Sequence, residues 1–388
     1  MNRVKASSFV YLDHAAATPV DDRVVTAMTP YLSEFFFNPS APYAPAIAVR
    51  RAYEAAKHEI AQALGAKADE LIMTAGATES IALAFRSVEG HVVTTNAEHH
   101  AVLRAAEARN HTLVAVDPRG MVQSETIRAA ITNETELVSV TLANNEIGTI
   151  QPIRAIAEAI RLIRAERLSH GNTRPLYLHC DASQGVGQLD ISVSRLGVDL
   201  LTVNAAKIYG PKQVGLLWAA SSVRLQPLID GGGQERGIRS GTENVAGVIG
   251  FAKALSLVTA KRKYEAHRLA ELRDILQKTL TDAFPAAIVS GHLKHRLAGH
   301  LHISFPGLDA ERVLFALEAR SILVATGSAC AANKGTRSHV LQAIGLAPEV
   351  ADGSLRMTLG HSNTAEQLEA AARIIIEEVQ REYDRMAQ

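Results

Sequence analysis

The stretch VDLLTVNAAKIYGPKQVGLLW, residues 198–218, decides the fold, because it places one lysine between two apolar segments. The first apolar segment, interrupted only by Asp199, ends at Val203 and has the composition of a buried β-strand. Lys207 follows four residues later, and a Tyr-Gly-Pro-Lys turn at 209–212 separates it from the second apolar segment. The pattern predicts a lysine at the end of a strand, held by a rigid turn.

Similar apolar segments occur earlier in the chain and alternate with helical patterns. They are residues 70–75, 91–96, 135–143 and 175–182. Strands that alternate with helices indicate βαβ units, so the sequence predicts an α/β fold with a mostly parallel sheet. The long helical stretch 246–280 and the mixed pattern after it predict a smaller α+β domain. We expect a large domain of residues 15–260, and a small domain of residues 1–14 with 261–388.

The composition excludes several classes of protein. Basic and acidic residues both number 40 in a chain of 388, so no excess charge predicts binding to nucleic acid or to an anionic membrane. No apolar run approaches the length of about 18 residues that a membrane span needs. Two cysteines cannot build a disulfide framework, and residues 1–20 contain no long apolar segment, so we expect a cytoplasmic protein.

Polar residues follow the predicted strands, at the point where each strand ends. Because ligands of parallel sheets bind at the carboxyl ends of the strands, these residues are candidates for a site. They are Thr78, His99, Asn145, Asp181, Gln184 and Lys207.

Several of these residues have an ordinary structural explanation when each is considered alone. Thr78, within TAGATES (74–80), suits a phosphate at a helix N-terminus, but it suits a helix cap equally well. Asp181 is typical of a turn, although a buried aspartate needs a cationic partner such as a protonated ring nitrogen. His99 is more often structural than catalytic, and its flat ring could also stack on a planar cofactor. Lys207 is typical of a surface, but among apolar strands it can lose its proton and attack carbonyl groups.

The combination points to one ligand. A phosphate site, a buried carboxylate, a stacking ring and an amine nucleophile together match the groups that bind pyridoxal 5′-phosphate. We therefore predict this cofactor, and we predict no metal site beside it.

Motifs in a fixed order along nearly the whole chain carry a family resemblance. They are YLDHAAATPVD (11–21), NPSA (38–41), GATES (76–80), EHHAV (98–102), NNEIGTIQPI (144–153), HCDASQGVGQ (179–188), AAKIYGPKQVG (205–215), GGGQERGIRSGTEN (231–244), ATGSAC (325–330), SHVLQAIG (338–345) and SLRMTLG (354–360). With these motifs the chain resembles the cysteine desulfurases of the class V aminotransferase family, in the group whose catalytic loop carries Ser-Cys. The resemblance implies the pyridoxal-phosphate enzyme fold of type I.

The resemblance also implies a role for individual residues. Lys207 is implied to hold the cofactor covalently and to remove the substrate Cα proton. Asp181 is implied to bind the pyridine nitrogen, Gln184 the phenolic oxygen, and His99 to stack on the ring and act near the substrate thiol. The implied contacts to phosphate and substrate are listed by position: Ala77, Thr78 and Asn204 at the phosphate, Thr242 at the phosphate of the other subunit of a homodimer, and Asn145 with Arg356 at the substrate carboxylate.

Cys330 is implied to take the sulfur. L-Cysteine would be converted to L-alanine, with a persulfide formed on Cys330 and passed to an acceptor, either an iron–sulfur scaffold or another sulfur carrier. Cys330 lies in ATGSACAANKGTRSHVL (325–341), a small, polar, glycine-containing stretch that predicts a mobile loop. Cys180 ends an apolar strand, so we expect an inert, packed thiol there.

The sequence departs from the family pattern at several positions. Asn204 and Ala206 stand where the family usually has serine and histidine, which predicts one missing contact to the phosphate. The residues after NPS (41–46) and the pair Ala298-Gly299 are also altered. The chain ends at Gln388, shortly after its last predicted helix, whereas housekeeping members run further, which leaves room for a different acceptor.

Two other functions stay open at this point. One is a related lyase of the same fold type, acting on selenocysteine or on cystine. The other is a degenerate paralogue that binds a partner without catalysis, although the joint presence of Lys207, Asp181, His99, Arg356 and Cys330 argues against it.

Overall fold

The structure is a computed structural model that describes residues 9–326 and 337–387, and the elements below are those of the described residues. The strands are β1 (Val10–Tyr11), β2 (Leu71–Thr74), β3 (His91–Thr95), β4 (His111–Val114), β5 (Thr135–Thr141), β6 (Tyr177–Asp181), β7 (Leu200–Asn204), β8 (Gly215–Ala219), β9 (Ile288–Val289), β10 (His300–Ser304), β11 (Ile322–Leu323), β12 (Ala325–Thr326) and β13 (Ser354–Thr358). The predicted strands therefore all form, with ends that differ by a few residues.

The helices follow the strands as the periodicity predicts. They are α1 (Asp22–Met28), α2 (Pro30–Ser33), α3 (Ala44–Leu64), α4 (Ala77–Arg86), α5 (His100–Glu107), α6 (Ser124–Ala130), α7 (Ile153–Ser169), α8 (Val193–Leu196), α9 (Val245–Ala283), α10 (Ala310–Ala319), α11 (His339–Ala343), α12 (Pro348–Ala351) and α13 (Ala365–Met386). Within residues 9–326 and 337–387, no helix combines the length and the apolar composition needed to cross a lipid bilayer.

The large sheet has the strand order β2-β8-β7-β6-β5-β3-β4. The pairs β3–β4, β3–β5, β5–β6 and β6–β7 are parallel, which confirms the predicted mostly parallel sheet. β8 pairs antiparallel with both β7 and β2, because the short connection 205–214 returns the chain beside β7 without a crossover helix. β2 and β7 therefore run the same way, so both end at the edge of the sheet where β3, β5 and β6 end.

A smaller antiparallel sheet, of order β12-β13-β10-β9, has one apolar and one polar face. On the apolar face Leu301 and Ile303 of β10 join a hydrophobic core with Leu355 and Met357 of β13. The alternate residues point to the opposite face, as the period of a strand requires. This polar face is also buried, and its residues are His300, His302, Ser304, Ser354, Arg356 and Thr358.

α9 takes part in two hydrophobic cores. Its first half contributes Val248 and Phe251 to the core around the large sheet, and its second half contributes Leu272 and Leu276 to the core of the small sheet. We propose on this basis that the chain divides near residue 260, with the two domains sharing one continuous helix.

The segment 231–244 is held to the large domain by one buried carboxylate. Glu235 accepts hydrogen bonds from the Tyr53 hydroxyl at 2.5 Å, from Lys57 Nζ at 3.0 Å and from the Met73 amide at 2.9 Å. Glu235 and Arg236 both have positive φ, 45° and 61°, which is strained for side-chain-bearing residues. The buried contacts therefore stabilise a backbone turn that the chain would not adopt alone.

Replacing Glu235 by alanine is expected to lower the free energy of unfolding by about 3–5 kcal/mol. The substitution leaves the Lys57 ammonium buried without its counter-charge, which is the costly way to break an interior ion pair. Urea unfolding would measure the difference. Glu158→Ala is the control, because Glu158 pairs with Arg154 and Arg161 on an exposed helix face and its loss should change little. Equal effects of the two substitutions would contradict the assigned anchoring.

Candidate active site

Lys207 lies at the carboxyl edge of the large sheet. β7 ends at Asn204, whose Oδ1 accepts a hydrogen bond from the Ala206 amide at 3.1 Å and caps the single turn Ala205–Lys207. The turn ends at once, since Tyr209 has a φ of 62°. Lys207 Nζ donates to the carbonyl oxygen of Ala15 at 2.8 Å. The amine is therefore directed at the N-terminal segment that crosses the sheet edge.

Gln184 meets Lys207 at the same carbonyl group. Gln184 Nε2 donates to the Ala15 carbonyl oxygen at 3.0 Å, and Lys207 also reaches the Ala16 carbonyl at 2.6 Å. Ala15, Gln184 and Lys207 thus converge from three separate stretches of chain. Gln184 and Lys207 were predicted as site residues.

Asp181 and His99 lie near Lys207 at this edge. Asp181 is the last residue of β6 and is buried, and its Oδ1 accepts a hydrogen bond from the Ser183 amide at 3.0 Å. His99 caps α5, with Nδ1 accepting from the Ala101 amide at 3.1 Å, which assigns the proton of the neutral ring to Nε2. Although His99 is exposed on one side, its crowded cleft desolvates the ring and lowers its pKa; the Asp181 charge opposes this shift and the Lys207 charge adds to it.

Arg356 reaches the site from the small sheet. Its Nη2 bonds Asp13 Oδ1 at 2.7 Å, and its Nη1 donates to the main-chain carbonyl of Asn145 at 3.1 Å. Arg356 Nε is buried without a hydrogen-bond partner among the described residues. Asp13 is therefore a further residue beside Arg356, and nothing in the sequence indicated this contact.

The N-terminus of α4 forms the other end of the site. α4 begins at Ala77 after Gly76, so Thr78 is the second helical residue, and its alternative interpretation as the helix cap is wrong. Gly76 has a φ of 141°, and a side chain there would meet nothing within 4 Å, so space lies open before the helix. Gly215 passes so close that a Cβ on it would come within 2.7 Å of the Gly76 Cα. The backbone N–H groups at this end suit a phosphate.

These residues fit pyridoxal 5′-phosphate. The open helix N-terminus suits its phosphate, and the buried Asp181 carboxylate suits its ring nitrogen. Lys207 supplies an amine, and the His99 ring flanks the same cleft. No cluster of histidine, cysteine, aspartate and glutamate in the described ranges could hold a metal ion.

Thr242, Cys330 and Cys180 are the other residues that the sequence analysis singled out. Thr242 is exposed in the segment before α9, and Cys330 lies outside the described residues. Cys180 is fully buried in the core of the large sheet, where burial raises the pKa of its thiol well above the ordinary value, as expected for an inert cysteine. His100 packs against the ring of His339, with centroids 4.5 Å apart.

Two buried carboxyl groups lie beneath the site, and no sequence pattern predicted their burial. Glu98 accepts hydrogen bonds from the Thr141 amide and the Thr95 hydroxyl, and burial raises its pKa to about 8. Glu146 accepts from the Ser338 hydroxyl at 2.5 Å, and burial raises its pKa to about 7. Both are protonated more readily in the folded chain than in the unfolded chain.

Folding stability is expected to be greatest near pH 6.5. Four buried histidines have pKa values lowered from 6.5 by burial, so the unfolded state binds more protons below pH 6.5 and stability falls on acidification. Glu98 and Glu146 act in the opposite sense, since their raised pKa values make stability fall as pH rises to about 7 and 8. Below pH 6.5 the effect of the four histidines exceeds that of the two carboxyl groups. The lowered pKa values are about 4 for His14 and His179 and about 3 for His300 and His302.

Urea unfolding between pH 5 and pH 9 would locate this maximum. Glu98→Gln resembles the protonated carboxyl group, so the variant should lose less stability than the wild-type protein above pH 6.5. A wild-type stability that keeps rising to pH 9 would be inconsistent with the protonation states assigned to these carboxyl groups.

Comparison with known proteins places the chain in a family. The aminotransferase class-V family model matches residues 10–371. "Cysteine desulfurase IscS" of Dictyoglomus turgidum is 39% identical over 371 residues, covering 92% of this chain and 91% of that protein. "Cysteine desulfurase IscS" of Methanosarcina thermophila is 39% identical over 384 residues, covering 96% and 92%. The chain therefore belongs to the aminotransferase class-V family.

Solved structures agree with this assignment. A NifS-like protein superposes with a TM-score of 0.87 at 32% identity, covering 96% of this chain and 99% of that chain. A structure described as SspA in complex with cysteine superposes with a TM-score of 0.76 at 31% identity, covering 90% and 98%. The fold is thus that of NifS-like, pyridoxal-phosphate-dependent enzymes of fold type I, and the predicted fold class is confirmed.

Proposed function

We propose that this protein is a pyridoxal 5′-phosphate-dependent cysteine desulfurase that converts L-cysteine to L-alanine and passes the sulfur to an acceptor. The observation that supports it most is the convergence of Lys207, Asp181 and His99 at one edge of the large sheet, in a chain whose relatives carry the name cysteine desulfurase. The degenerate, non-enzymatic alternative would not need these three groups together.

The site residues divide the work among them. The bound cofactor supplies an aldehyde that joins amines and a ring that accepts negative charge. Lys207 provides the amine that anchors it and then holds the proton taken from the substrate Cα. Asp181 would keep the ring nitrogen protonated, and Arg356, which lies against Asn145, would orient the substrate carboxylate.

The sulfur step belongs to Cys330 and to His99. In this proposal His99, whose Nε2 carries the proton in the neutral ring, exchanges a proton with the substrate thiol. The Cys330 thiolate would attack the substrate sulfur, so that an S–S bond forms as the C–S bond breaks; the substrate carbon keeps the electron pair of that bond, takes up a proton and leaves as alanine. Burial of Cys180 makes it a poor substitute for this reaction.

The direct test measures both products of the cofactor-loaded enzyme. Alanine and sulfide should appear in equal amounts from L-cysteine in the presence of a reductant. Alanine release from selenocysteine, and from cystine without any reductant, should be slower than from L-cysteine. If either supports a larger kcat/KM than cysteine, the related lyase is the correct function.

We further propose a cytoplasmic homodimer in which Thr242 completes the phosphate site of the partner subunit. Thr242 is exposed and follows the strained turn anchored by Glu235, so the residue is accessible to a second subunit. The acceptor is proposed as an iron–sulfur scaffold or another sulfur carrier, to be separated by adding candidate acceptors one at a time to the persulfide-bearing enzyme.

Mixing two inactive variants is expected to restore part of the activity. In a dimer of a Thr242→Ala chain and a Lys207→Ala chain, one of the two sites has both residues intact. After denaturant-assisted exchange of subunits, up to about half of the mixed dimer's sites should turn over. Exchange that is demonstrated by mass-labelled chains without any recovery would exclude a shared site.

A further inference from the structure

Thr18, in the N-terminal segment, holds the main chain on both sides of Lys207. Its hydroxyl donates a hydrogen bond to the Ala206 carbonyl oxygen at 3.0 Å and accepts one from the Tyr209 amide at 2.7 Å. The Thr18 amide also donates to the Ala206 carbonyl oxygen, at 3.2 Å. One residue therefore bonds the position immediately before Lys207 and the position two residues after it.

The turn that follows β7 depends on this contact from outside. The Ala205 carbonyl oxygen accepts hydrogen bonds from the amides of Ile208 and Gly210, at 3.1 Å and 3.0 Å. The Tyr209 amide, which lies between them in the chain, bonds to Thr18 instead. Tyr209 has a φ of 62°, in the left-handed region that a tyrosine adopts only at a cost in free energy. The Thr18 hydroxyl therefore gives this amide the partner that its strained conformation requires.

Thr18 is itself fixed in place. It is buried, with 3% of its surface exposed, and its carbonyl oxygen accepts a hydrogen bond from Lys212 Nζ at 2.6 Å. The next residue is Pro19, whose ring restricts the backbone of Thr18 to extended conformations. The hydroxyl is thus attached to a segment that has little freedom to move.

The contacts of the Lys207 amine cannot replace this support during the reaction. The protonated amine donates to the carbonyl oxygens of Ala15 and Ala16. It must lose a proton and leave these oxygens before its lone pair can attack an aldehyde. The bonds from Thr18 go to the main chain, so they persist when the amine is released and keep the base of the lysine side chain in place.

We propose that Thr18 is a positioning residue for Lys207, which holds the base of the lysine side chain so that its amine reaches the cofactor and the substrate Cα. The inference rests on the proposed function of Lys207, and Thr18 acts only through the main chain of the turn. Because a misplacement of about 1 Å can cost roughly 100-fold in rate, even a small shift of this turn should be measurable.

Covalent attachment of the cofactor measures this positioning without turnover. When pyridoxal 5′-phosphate is added to the cofactor-free full chain, Lys207 Nζ attacks the aldehyde carbon, a water molecule leaves and a C=N bond remains. Borohydride donates a hydride to that bond and leaves a stable C–N single bond, which mass spectrometry of the Lys207 peptide quantifies at each time point. Thr18→Val, which is nearly isosteric but lacks the hydroxyl, should slow attachment about 10- to 100-fold.

Two further variants separate the hydroxyl from the shape of the residue. Thr18→Ser keeps the hydroxyl and should keep most of the wild-type rate. Thr18→Ala should be as slow as Thr18→Val, and it places no methyl group beside the Tyr209 amide if the valine variant does not fold. Thr26→Val is the matched control, because the Thr26 hydroxyl donates to the Asp22 carbonyl oxygen on the exposed side of α1. This control should leave the rate unchanged.

A purely structural role of Thr18 predicts a different result. In that case Thr18→Val lowers the free energy of unfolding in urea but attaches the cofactor at the wild-type rate once folded, and this outcome would overturn the proposal. A Thr18→Ser variant as slow as Thr18→Val would also overturn it, because the hydroxyl would then be irrelevant.

Turnover provides a second readout. In Thr18→Val, kcat for L-cysteine should fall far more than KM rises, because the proposed carboxylate site at Arg356 is built from other residues. Thr18→Ser should restore kcat. A wild-type chain that forms no bond at Lys207 would overturn the proposed function together with this inference, whereas equal rates in the wild type and Thr18→Val would overturn the inference alone.

Discussion

Lys207→Ala is expected to lower the turnover of cysteine by at least about a thousandfold. One amine at the sheet edge both anchors the cofactor and moves the Cα proton, and loss of a general base alone commonly costs 10²- to 10⁴-fold. The variant should also lose the visible absorbance of covalently held cofactor. Steady-state alanine release and an absorbance spectrum of the purified protein would measure both effects.

Lys207→Arg is the matched control for charge. Arginine keeps the cation that donates to the Ala15 and Ala16 carbonyl groups, but its guanidinium stays protonated and cannot attack a carbonyl group. We expect this variant to be as inactive as Lys207→Ala while remaining as stable as the wild-type protein. Substantial activity in either variant would mean that another amine anchors the cofactor.

Cys330→Ala is expected to abolish the protein-bound persulfide while leaving the cofactor spectrum unchanged. Persulfide formation requires a thiolate, and the other cysteine of the chain, Cys180, is packed in the core with a raised thiol pKa. Mass spectrometry of the protein after a single addition of L-cysteine would detect a gain of one sulfur atom. The expected change is from a nearly complete modification to none.

Cys180→Ser is the complementary experiment. It changes one atom in the core, so the persulfide should still form on Cys330 in the folded fraction. A persulfide that persists in Cys330→Ala but vanishes in Cys180→Ser would reverse the assignment of the two thiols.

The fold could be predicted well because its signals are local. Apolar segments such as 135–143 and 175–182 are short and bounded, and the polar residue after each one marks the strand end. The antiparallel insertion of β8 between β2 and β7 carried no such signal, because strand order depends on pairing between distant segments. The alternative role of Thr78 as a cap failed for a related reason, since the helix starts at Ala77, two residues earlier than a cap at Thr78 requires.

The sequence predicted which residues belong to the site better than it predicted the contacts between them. Lys207, Asp181 and His99 follow strand ends and are visible in the chain, whereas the pairing of Arg356 with Asp13 joins residues 343 positions apart. The shifts of Glu98 and Glu146 also arise from burial, which depends on packing across the whole domain. Local patterns cannot report either kind of long-range effect.

The continuous α9 constrains how this protein can change in length during evolution. A helix of 39 residues extends about 58 Å, and each residue inserted within it would rotate everything beyond by about 100° and advance it by about 1.5 Å. One such insertion near residue 260 would carry β13, and with it Arg356, away from the edge where Lys207 lies. We therefore expect homologues to gain and lose residues in the turns on either side of α9 but to keep the number of residues inside it.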